Sequence, residues 1–317
     1  MNDVAGSLLR RLRLRHLELL DALGELGTVH AAARRLNLSQ PAVSKMLGEI
    51  EQSFGNRLFD RSKAGVRPNR MGLAAIRRAR IVRHEIDAAA VEVAALSNGA
   101  GPLLRLGTIS VTSIVPEAIV SLRGTVPGII VHIVESPVDV LLGRLLGGEL
   151  DCVFGALSAE LPATPAAQEL ASQAIYRERI CVVASPQQRL ARRARLTWRD
   201  LQQESWALPP LSAMVRQAFV SLHLESGLPP PVAAVETLSP VTMSALVRAD
   251  PQLIGIMRSD QVRRELREPG LVELPVRPVV RLPPLSLFTR RASPLPSPLV
   301  ARFAEALRKA ARPGTDR

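Results

Sequence analysis

The sequence predicts an α/β protein overall, with a mainly α N-terminal winged helix-turn-helix, a long linker helix and a C-terminal two-lobed α/β domain. Three observations predict this architecture. Residues 28–54 read as two short helices joined by a tight turn, residues 70–97 read as one long helix, and apolar strands alternate with amphipathic helices from residue 103 onward. A length of 317 residues allows more than one domain, each with its own core.

Local signals between residues 27 and 41 predict the helix-turn-helix. Gly27 can end one helix and Thr28 can cap the next, while the short polar side chain of Asn37 suits a tight turn. Ser39 is a good N-cap, and Pro41 falls in the first helical turn, where its missing N–H costs little.

The second helix of this segment is amphipathic. Its apolar residues recur at helical spacing and predict a buried stripe of Val43, Met46, Leu47, Ile50 and Phe54. Gln40, Ser44 and Lys45 fall on the opposite face, where hydrogen-bonding groups can reach base edges or phosphates. Taken alone, these residues also suit an ordinary helical hairpin inside a larger core.

The stretch from Leu58 to Pro68 reads as a short basic hairpin with Gly65 in or near its turn. Such a wing can lie along a phosphate backbone, and Arg61, Lys63 and Arg67 supply the charge that this contact needs.

The charge distribution supports the same interpretation. Between residues 10 and 83 there are sixteen Lys or Arg against six Asp or Glu, and the whole chain has a net charge of +12. Most of the excess positive charge therefore lies in the first quarter, as is typical of a DNA-binding domain. An aromatic content of 3% argues against a single-strand binder that stacks bases on aromatic rings.

Asn69 reads as the N-cap of a long helix that runs to about Ser97. Its apolar residues, interrupted by Arg83, predict a short and imperfect coiled seam for dimerisation: Ile76, Ala79, Ile86, Ala90 and Val93. Packing of the helix against the α/β domain that follows it could produce the same stripe. A flexible break at 97–102 marks the domain boundary.

Two successive sets of strands and helices follow Pro102. The first set has predicted strands at 103–108, 129–134 and 151–154 and helices at 114–123 and 138–146. The second has strands at 180–184, 232–235 and 253–257 and helices at 214–225 and 240–248, followed by a strand at 285–289 and a helix at 297–310. This alternation predicts parallel sheets with helices on both faces. Two lobes with crossovers near 157–168 and 266–276 resemble periplasmic binding proteins, which close on small ligands.

Hydroxyl side chains follow several of these strands. In such sheets, ligands bind beyond the carboxyl ends of the strands, near helix N-termini. The candidate ligand-binding residues are Ser110, Thr112, Ser113, Ser136, Ser212, Thr237, Ser239 and Ser259. The alternative is that each is a plain N-cap. A hydroxyl-lined site suits a carboxylate, phosphate or polyhydroxyl ligand.

Other classes of protein are less compatible with the sequence. Cys152 and Cys181 lie in apolar runs and read as reduced core residues. The five histidines show no metal-ligand spacing, and no nucleophile elbow, P-loop or Cys-x-x-Cys is present, so we predict no catalytic residue, metal or cofactor. No apolar run reaches the length of a membrane span, and we expect a cytoplasmic protein. A binding module without a role in transcription, or an α/β enzyme fused to a DNA tether, remains possible from the residues alone.

An ungapped pattern connects these features. The residues His30-x-Ala32-Ala33-x-x-Leu36-x-x-Ser39-Gln40-Pro41-Ala42-x-Ser44, continued by Ile50-Glu51-x-x-Phe54-Gly55-x-x-Leu58-Phe59-x-Arg61, resemble the N-terminal domain of LysR-type transcriptional regulators. The resemblance covers nearly the whole chain. It implies that Gln40, Pro41, Ser44 and Lys45 face DNA and that Arg61 approaches a phosphate.

Two departures from the family pattern are visible. Asn69-Arg70-Met71-Gly72 replaces the more usual Thr-x-Ala-Gly, and we expect no change in fold because Asn caps as well as Thr. Lys45 stands where Arg is common, and lysine lacks the planar fork needed for bidentate reading of guanine.

The resemblance implies a sequence-specific regulator of transcription. We expect a DNA-binding domain at 1–69, a linker and dimerisation helix at 70–97 and an effector-binding domain at 98–317, with lobe I at about 103–160 and 272–317 and lobe II at about 161–271. The expected partners are double-stranded promoter DNA, a polar or anionic effector such as a sugar or organic acid held between the lobes, RNA polymerase, and a second or further copies in a homodimer or homotetramer, with no membrane. The alternative is a regulator that acts without a small-molecule effector.

Overall fold

The protein, described by a computed structural model over residues 11–62, 65–97, 99–109, 114–157, 167–291 and 297–311, folds into two compact units. The first contains the residues up to Gly107 together with Pro127–Val134 and Asp139–Val153. The second contains Thr108–Val126, Glu135–Val138 and the residues from Phe154 onward.

Over the described residues from Leu14 to Ser97, the first unit contains three helices, a two-stranded wing and one long helix. These elements are α1 (Leu14–Leu26), α2 (Val29–Arg35), α3 (Gln40–Phe54), β1 (Phe59–Ser62), β2 (Gly65–Pro68) and α4 (Arg70–Ser97). The core beneath them is fully buried at Leu19, Leu23, Val43, Leu47 and Ile50. The predicted winged helix-turn-helix and long helix are therefore confirmed.

The first half of α4 packs on α1. Ile76 and Ala79 are buried, and Ile76 Cδ1 lies so close to α1 that a Cβ on Gly24 would meet it at 2.9 Å. The buried Asp21 carboxylate accepts a hydrogen bond from Arg80 Nε at 2.5 Å and a second one from Arg83. The prediction that Ile76 and Ala79 line a dimer seam is wrong, because these side chains are already covered by α1. Arg83 interrupts the apolar stripe because it pairs with Asp21.

The second half of α4 has a different environment. From Val82 onward, the large apolar side chains of the helix with described exposure are on the surface: Val82, Ile86, Val91 and Val93. At Ile81, the helix meets Gly148, where an added Cβ would lie 3.1 Å from the Ile81 Cα. This contact is the packing against the α/β domain that the sequence left open as an alternative.

The first set of strands and helices agrees with the sequence to within two residues. It comprises β3 (Leu103–Thr108), α5 (Ile114–Thr125), β4 (Ile130–Glu135), α6 (Val138–Gly147) and β5 (Cys152–Gly155). Its strands lie in the order β4–β3–β5.

The second set contains more strands than the sequence predicted. Its elements are β6 (Leu170–Ala184), β7 (Leu196–Thr197), β8 (Ser205–Leu208), α7 (Met214–Glu225), β9 (Ala233–Glu236), α8 (Pro240–Ala249), β10 (Leu253–Arg258), α9 (Ser259–Glu265), β11 (Val272–Leu274), β12 (Val276–Arg277), β13 (Arg281–Arg290) and α10 (Pro298–Ala311). Short 3-10 helices lie at Ala167–Glu169, Arg189–Arg192 and Trp198–Leu201. The strands run in the order β13–β6–β10–β8–β9, β11 also pairs with β6, and β12 pairs with β7.

Strand β6 is the main difference from expectation. Residues 170–179 pair with β13, residues 180–184 pair with β10 and residues 182–184 pair with β11, all in antiparallel register. The predicted strand at 180–184 is only the end of this element, and the parallel sheet expected for the second set is correct for β8, β9 and β10 but wrong for β6. Because this long strand pairs with β13 in its first part and with β10 and β11 in its last part, its burial pattern changes along its length. The apolar run at 180–184 was therefore the only part that the sequence indicated as a strand.

Candidate nucleic-acid interface and effector site

The turn of the helix-turn-helix is fixed by the residues predicted to form it. Thr28 Oγ1 accepts a hydrogen bond from the Ala31 amide at 3.2 Å, and Ser39 Oγ accepts one from the Ala42 amide at 3.3 Å. Asn37, in the turn, has a φ of 53°, the left-handed conformation that its short polar side chain tolerates. Both caps and the turn are confirmed, and they set the angle at which α3 leaves α2.

Helix α3 has one buried face and one exposed face. Val43, Leu47 and Ile50 have no exposed surface, and they anchor the helix in the core of the first unit. The predicted DNA-facing side chains are all exposed: Gln40, Pro41, Ser44 and Lys45. This arrangement argues against a hairpin enclosed within a core, because the polar face of α3 is open at the surface.

The wing is an antiparallel pair in which Asp60 faces Arg67 and Arg61 faces Val66. Arg61 and Arg67 are exposed, as a phosphate contact requires, whereas Lys63 lies outside the described residues.

Glu51 joins the wing to α3 and was missed by sequence reasoning. Its Oε1 atom accepts hydrogen bonds from the backbone amides of Leu58 at 2.8 Å and Phe59 at 3.2 Å. Its Oε2 atom lies 3.9 Å from the Arg61 guanidinium. A carboxylate on a DNA-reading helix would repel phosphates, and these contacts show that Glu51 serves the fold of the wing instead.

Two glycines allow the close backbone contacts of the wing. Gly65 has a φ of 126°, and an added Cβ would lie 2.4 Å from the Gly27 carbonyl oxygen. At Gly72, in the first turn of α4, an added Cβ would lie 2.0 Å from the Leu58 carbonyl oxygen. Asn69 caps the same helix, since its Oδ1 accepts the amides of Met71 and Gly72 at 2.9 Å each. The expected replacement of a Thr cap by Asn is confirmed.

A second feature that the sequence did not reveal lies at the start of α3. Gln40 Nε2 is 2.6 Å from His30 Nδ1 on α2, and both side chains are exposed. The two residues are ten positions apart, and only the helix-turn-helix geometry brings them together.

Among the candidate effector residues, Ser110, Thr112 and Ser113 lie outside the described residues. Ser136 follows β4 and is half-buried, and its backbone amide donates to the Thr108 carbonyl at the end of β3 at 3.3 Å. The ends of these two strands therefore meet, as the sequence analysis assumed for a shared sheet edge.

The remaining four candidates also share one edge. Strands β8, β9 and β10 are parallel neighbours, so the segments after them carry Ser212, Thr237, Ser239 and Ser259 at the same end of the sheet. Ser239 Oγ caps α8 by accepting the Thr242 amide at 3.2 Å, and Thr237 Oγ1 accepts the Ser239 amide at 3.2 Å. Ser259 Oγ accepts the Arg179 amide at 3.3 Å. Ser212 is exposed between β8 and α7.

A buried charged cluster lies at this edge and was not predicted. Arg258 at the end of β10 pairs with Glu178 of β6, whose side chain is fully buried, and the carboxyl of Asp260 is close by. Among the described residues, Glu178 Oε1 has no hydrogen-bond donor. Burial and the Asp260 carboxyl raise the pKa of Glu178 to about 8, against the lowering effect of Arg258.

The two cysteines are buried and unpaired as thiols, as predicted. Burial raises the pKa of both thiols, which disfavours the reactive thiolate. Within the described ranges, no three His, Cys, Asp or Glu side chains form a group that could hold a metal ion. In the same part of the chain, no helix is both long and apolar enough to span a bilayer.

Comparison with known protein families shows to which family the chain belongs. The LysR substrate binding domain matches residues 97–312, and the bacterial regulatory helix-turn-helix protein of the lysR family matches residues 14–73. The chain belongs to the LysR family. LysR proteins are DNA-binding transcriptional regulators with an effector-binding domain, not enzymes, so the resemblance stated from the sequence is confirmed.

Two curated regulatory proteins match most of the length of the chain. The regulator GbpR of Azospirillum brasilense is 35% identical over 240 residues, which cover 75% of this chain and 69% of the relative. The small neutral protease regulatory protein of Streptomyces coelicolor is 31% identical over 304 residues, which cover 94% of each chain.

Solved LysR structures share the fold. Full-length OxyR from Pseudomonas aeruginosa matches with a TM-score of 0.63 at 22% identity and covers 96% of this chain and 98% of its own. CbnR complexed with its target DNA matches with a TM-score of 0.52 at 22% identity and covers 95% of this chain and all of its own. These similarities confirm the predicted fold class.

Proposed function

We propose that this LysR regulator binds a pseudo-palindromic promoter site as a homodimer or homotetramer and that a polar or anionic metabolite modulates its action. The exposed face of α3 carries the DNA-binding proposal: Gln40, Pro41, Ser44 and Lys45 project from a helix whose opposite face is fully buried. Arg61, Arg67 and Lys63 of the wing approach phosphates. A basic first quarter of the chain supplies the electrostatic attraction to DNA.

The exposed half of α4 supports self-association. Val82, Ile86 and Val93 follow one another at intervals of four and seven residues, the spacing of a coiled seam. The proposed dimer seam therefore starts at Val82, after the buried Ile76 and Ala79. Two recognition helices related by a two-fold axis match a pseudo-palindromic operator.

The effector site lies at the carboxyl ends of the strands, where Ser136, Ser212, Thr237, Ser239 and Ser259 are placed. The proposed site also includes Ser110, Thr112 and Ser113, which follow β3 in the sequence. Hydroxyl groups and helix N-termini suit a carboxylate, phosphate or sugar. The effector acts by binding one quaternary state more tightly than the other, and RNA polymerase responds to the changed promoter complex in the cytoplasm.

The proposed DNA contact of the exposed face of α3 is tested with duplexes that the full-length protein selects from a random pool. Ser44→Ala and Lys45→Ala should each weaken binding to the selected duplex by about 1–3 kcal/mol if the side chains read bases. Gel-shift titrations against the selected and a scrambled duplex measure this difference. Gln52→Ala is the matched control, because Gln52 is exposed on the same helix but lies near its end. Unchanged affinity in both reading variants would refute the assignment of this face.

A further inference from the structure

The side chains of His30 and Gln40 lie within hydrogen-bond distance of each other. The atom of Gln40 that lies 2.6 Å from His30 Nδ1 is the amide nitrogen, which can only donate. In this arrangement His30 Nδ1 is the acceptor, which requires the imidazole tautomer that leaves Nδ1 unprotonated. Both side chains are exposed at the start of α3, the end of a recognition helix that contacts base edges.

This contact determines which groups of Gln40 remain available. One of the two amide hydrogens is bound to His30, so the side chain can offer one N–H donor and the Oε1 acceptor to DNA. This donor and acceptor complement the N7 and N6 groups that adenine presents in the major groove. Guanine presents two acceptors there, N7 and O6, and suits a side chain with two free donors.

We propose that His30 is a positioning residue that holds the Gln40 amide in the orientation that reads adenine. The hydrogen bond also restricts the rotamers of a long flexible side chain before DNA arrives, so less conformational entropy is lost on binding. The inference rests on the proposed role of α3 as the DNA-reading helix, and it adds a residue of α2 to the determinants of sequence specificity.

The test uses the full-length protein and measures base preference rather than affinity alone. Random duplexes are selected with the wild type, and the base pair whose preference is lost in Gln40→Ala identifies the position that Gln40 reads. We expect adenine at this position. His30→Ala should reduce the preference for adenine over guanine there by about tenfold while leaving the preferences at other positions unchanged.

Two further variants separate positioning from direct contact. His30→Asn places an acceptor oxygen near the position of Nδ1, and it should restore most of the adenine preference. In the double variant His30→Ala/Gln40→Ala, removal of the imidazole should have no additional effect, because His30 acts only through Gln40. Arg34→Ala is the control, since Arg34 is exposed one turn later on α2 and should affect all duplexes alike.

The outcomes are distinct. A preference for guanine at the Gln40 position, additive effects of His30→Ala and Gln40→Ala, or an equal loss of affinity for all sequences would overturn the inference. If the wild type selected no sequence, the proposed function itself would fail. Thermal unfolding of His30→Ala should match the wild type, because the side chain is exposed.

Discussion

The helix-turn-helix and the effector domain expose their polar side chains in different ways. On α3, the candidate DNA-binding side chains are exposed, while separate residues such as Thr28, Ser39 and Glu51 satisfy the backbone. In the effector domain, Thr237, Ser239 and Ser259 are themselves bonded to backbone amides. In the proposed function, structural and binding roles thus fall on separate residues of the helix-turn-helix, whereas in the effector domain both fall on the same hydroxyls.

The largest expected effect on stability concerns the close backbone contact at Gly72, next to the wing. Gly72→Ala should destabilise the helix-turn-helix by about 3 kcal/mol or more, because its Cβ would lie 2.0 Å from a backbone oxygen that cannot move aside. Gly48→Ala is the matched control. No atom lies within 4 Å of a Cβ there, and the helix should gain up to about 1 kcal/mol. Thermal unfolding of both variants measures the effect, and similar unfolding temperatures would contradict the contact described for Gly72.

The buried cluster in the effector domain predicts an effect that depends on pH. The pKa of Glu178 is raised in the folded protein to about 8 from 4.5, so its contribution to stability is fully present below about pH 4.5 and is lost as the pH rises through about 8. Glu178→Gln cannot ionise. Its unfolding temperature relative to the wild type should therefore increase from about pH 5 to about pH 9.

Glu273→Gln provides the comparison for this pH series, because Glu273 also pairs with an arginine but is only half-buried. The variant removes an ion pair without removing a fully buried carboxyl. If Glu178→Gln and the wild type changed in parallel across the series, Glu178 would not be the group that titrates.

The smallest effects separate capping from ligand binding. Ser239→Ala should lose about 1 kcal/mol of stability because the cap of α8 is removed. Ser212→Ala should change stability by less than about 0.5 kcal/mol, since Ser212 is exposed and caps no helix, but it should reduce the stabilisation given by an effector. Thermal unfolding with a panel of sugars and organic acids measures both quantities. An undiminished ligand response in Ser212→Ala would exclude that residue from the effector site.

Sequence reasoning predicted the parts of this fold whose signals are local. The caps at Thr28, Ser39 and Asn69 depend on residues within three positions, and the buried stripe of α3 follows from the helical period. The stripe on α4 was visible too, but periodicity cannot say what covers an apolar face, and for Ile76 and Ala79 the cover is α1.

Features that depend on distant parts of the chain were not predictable in this way. Glu178 and Arg258 are eighty residues apart, and His30 and Gln40 meet only because of the angle between two helices. Strand β8, with four residues, is too short to show a period, and β6 changes partners along its length. The roles proposed for individual hydroxyls in the effector site remain predictions.

The attachment of α4 to α1 has a mechanical consequence. Asp21 holds Arg80 and Arg83, so we expect the first four turns of the 28-residue helix to move as one body with the helix-turn-helix. The whole helix is about 42 Å long, and a tilt of about 5° applied at its far end would displace the helix-turn-helix by about 4 Å, roughly one base-pair step. In the proposed dimer, small changes in how the two copies contact each other along α4 would therefore alter the spacing of the half-sites that they can occupy together.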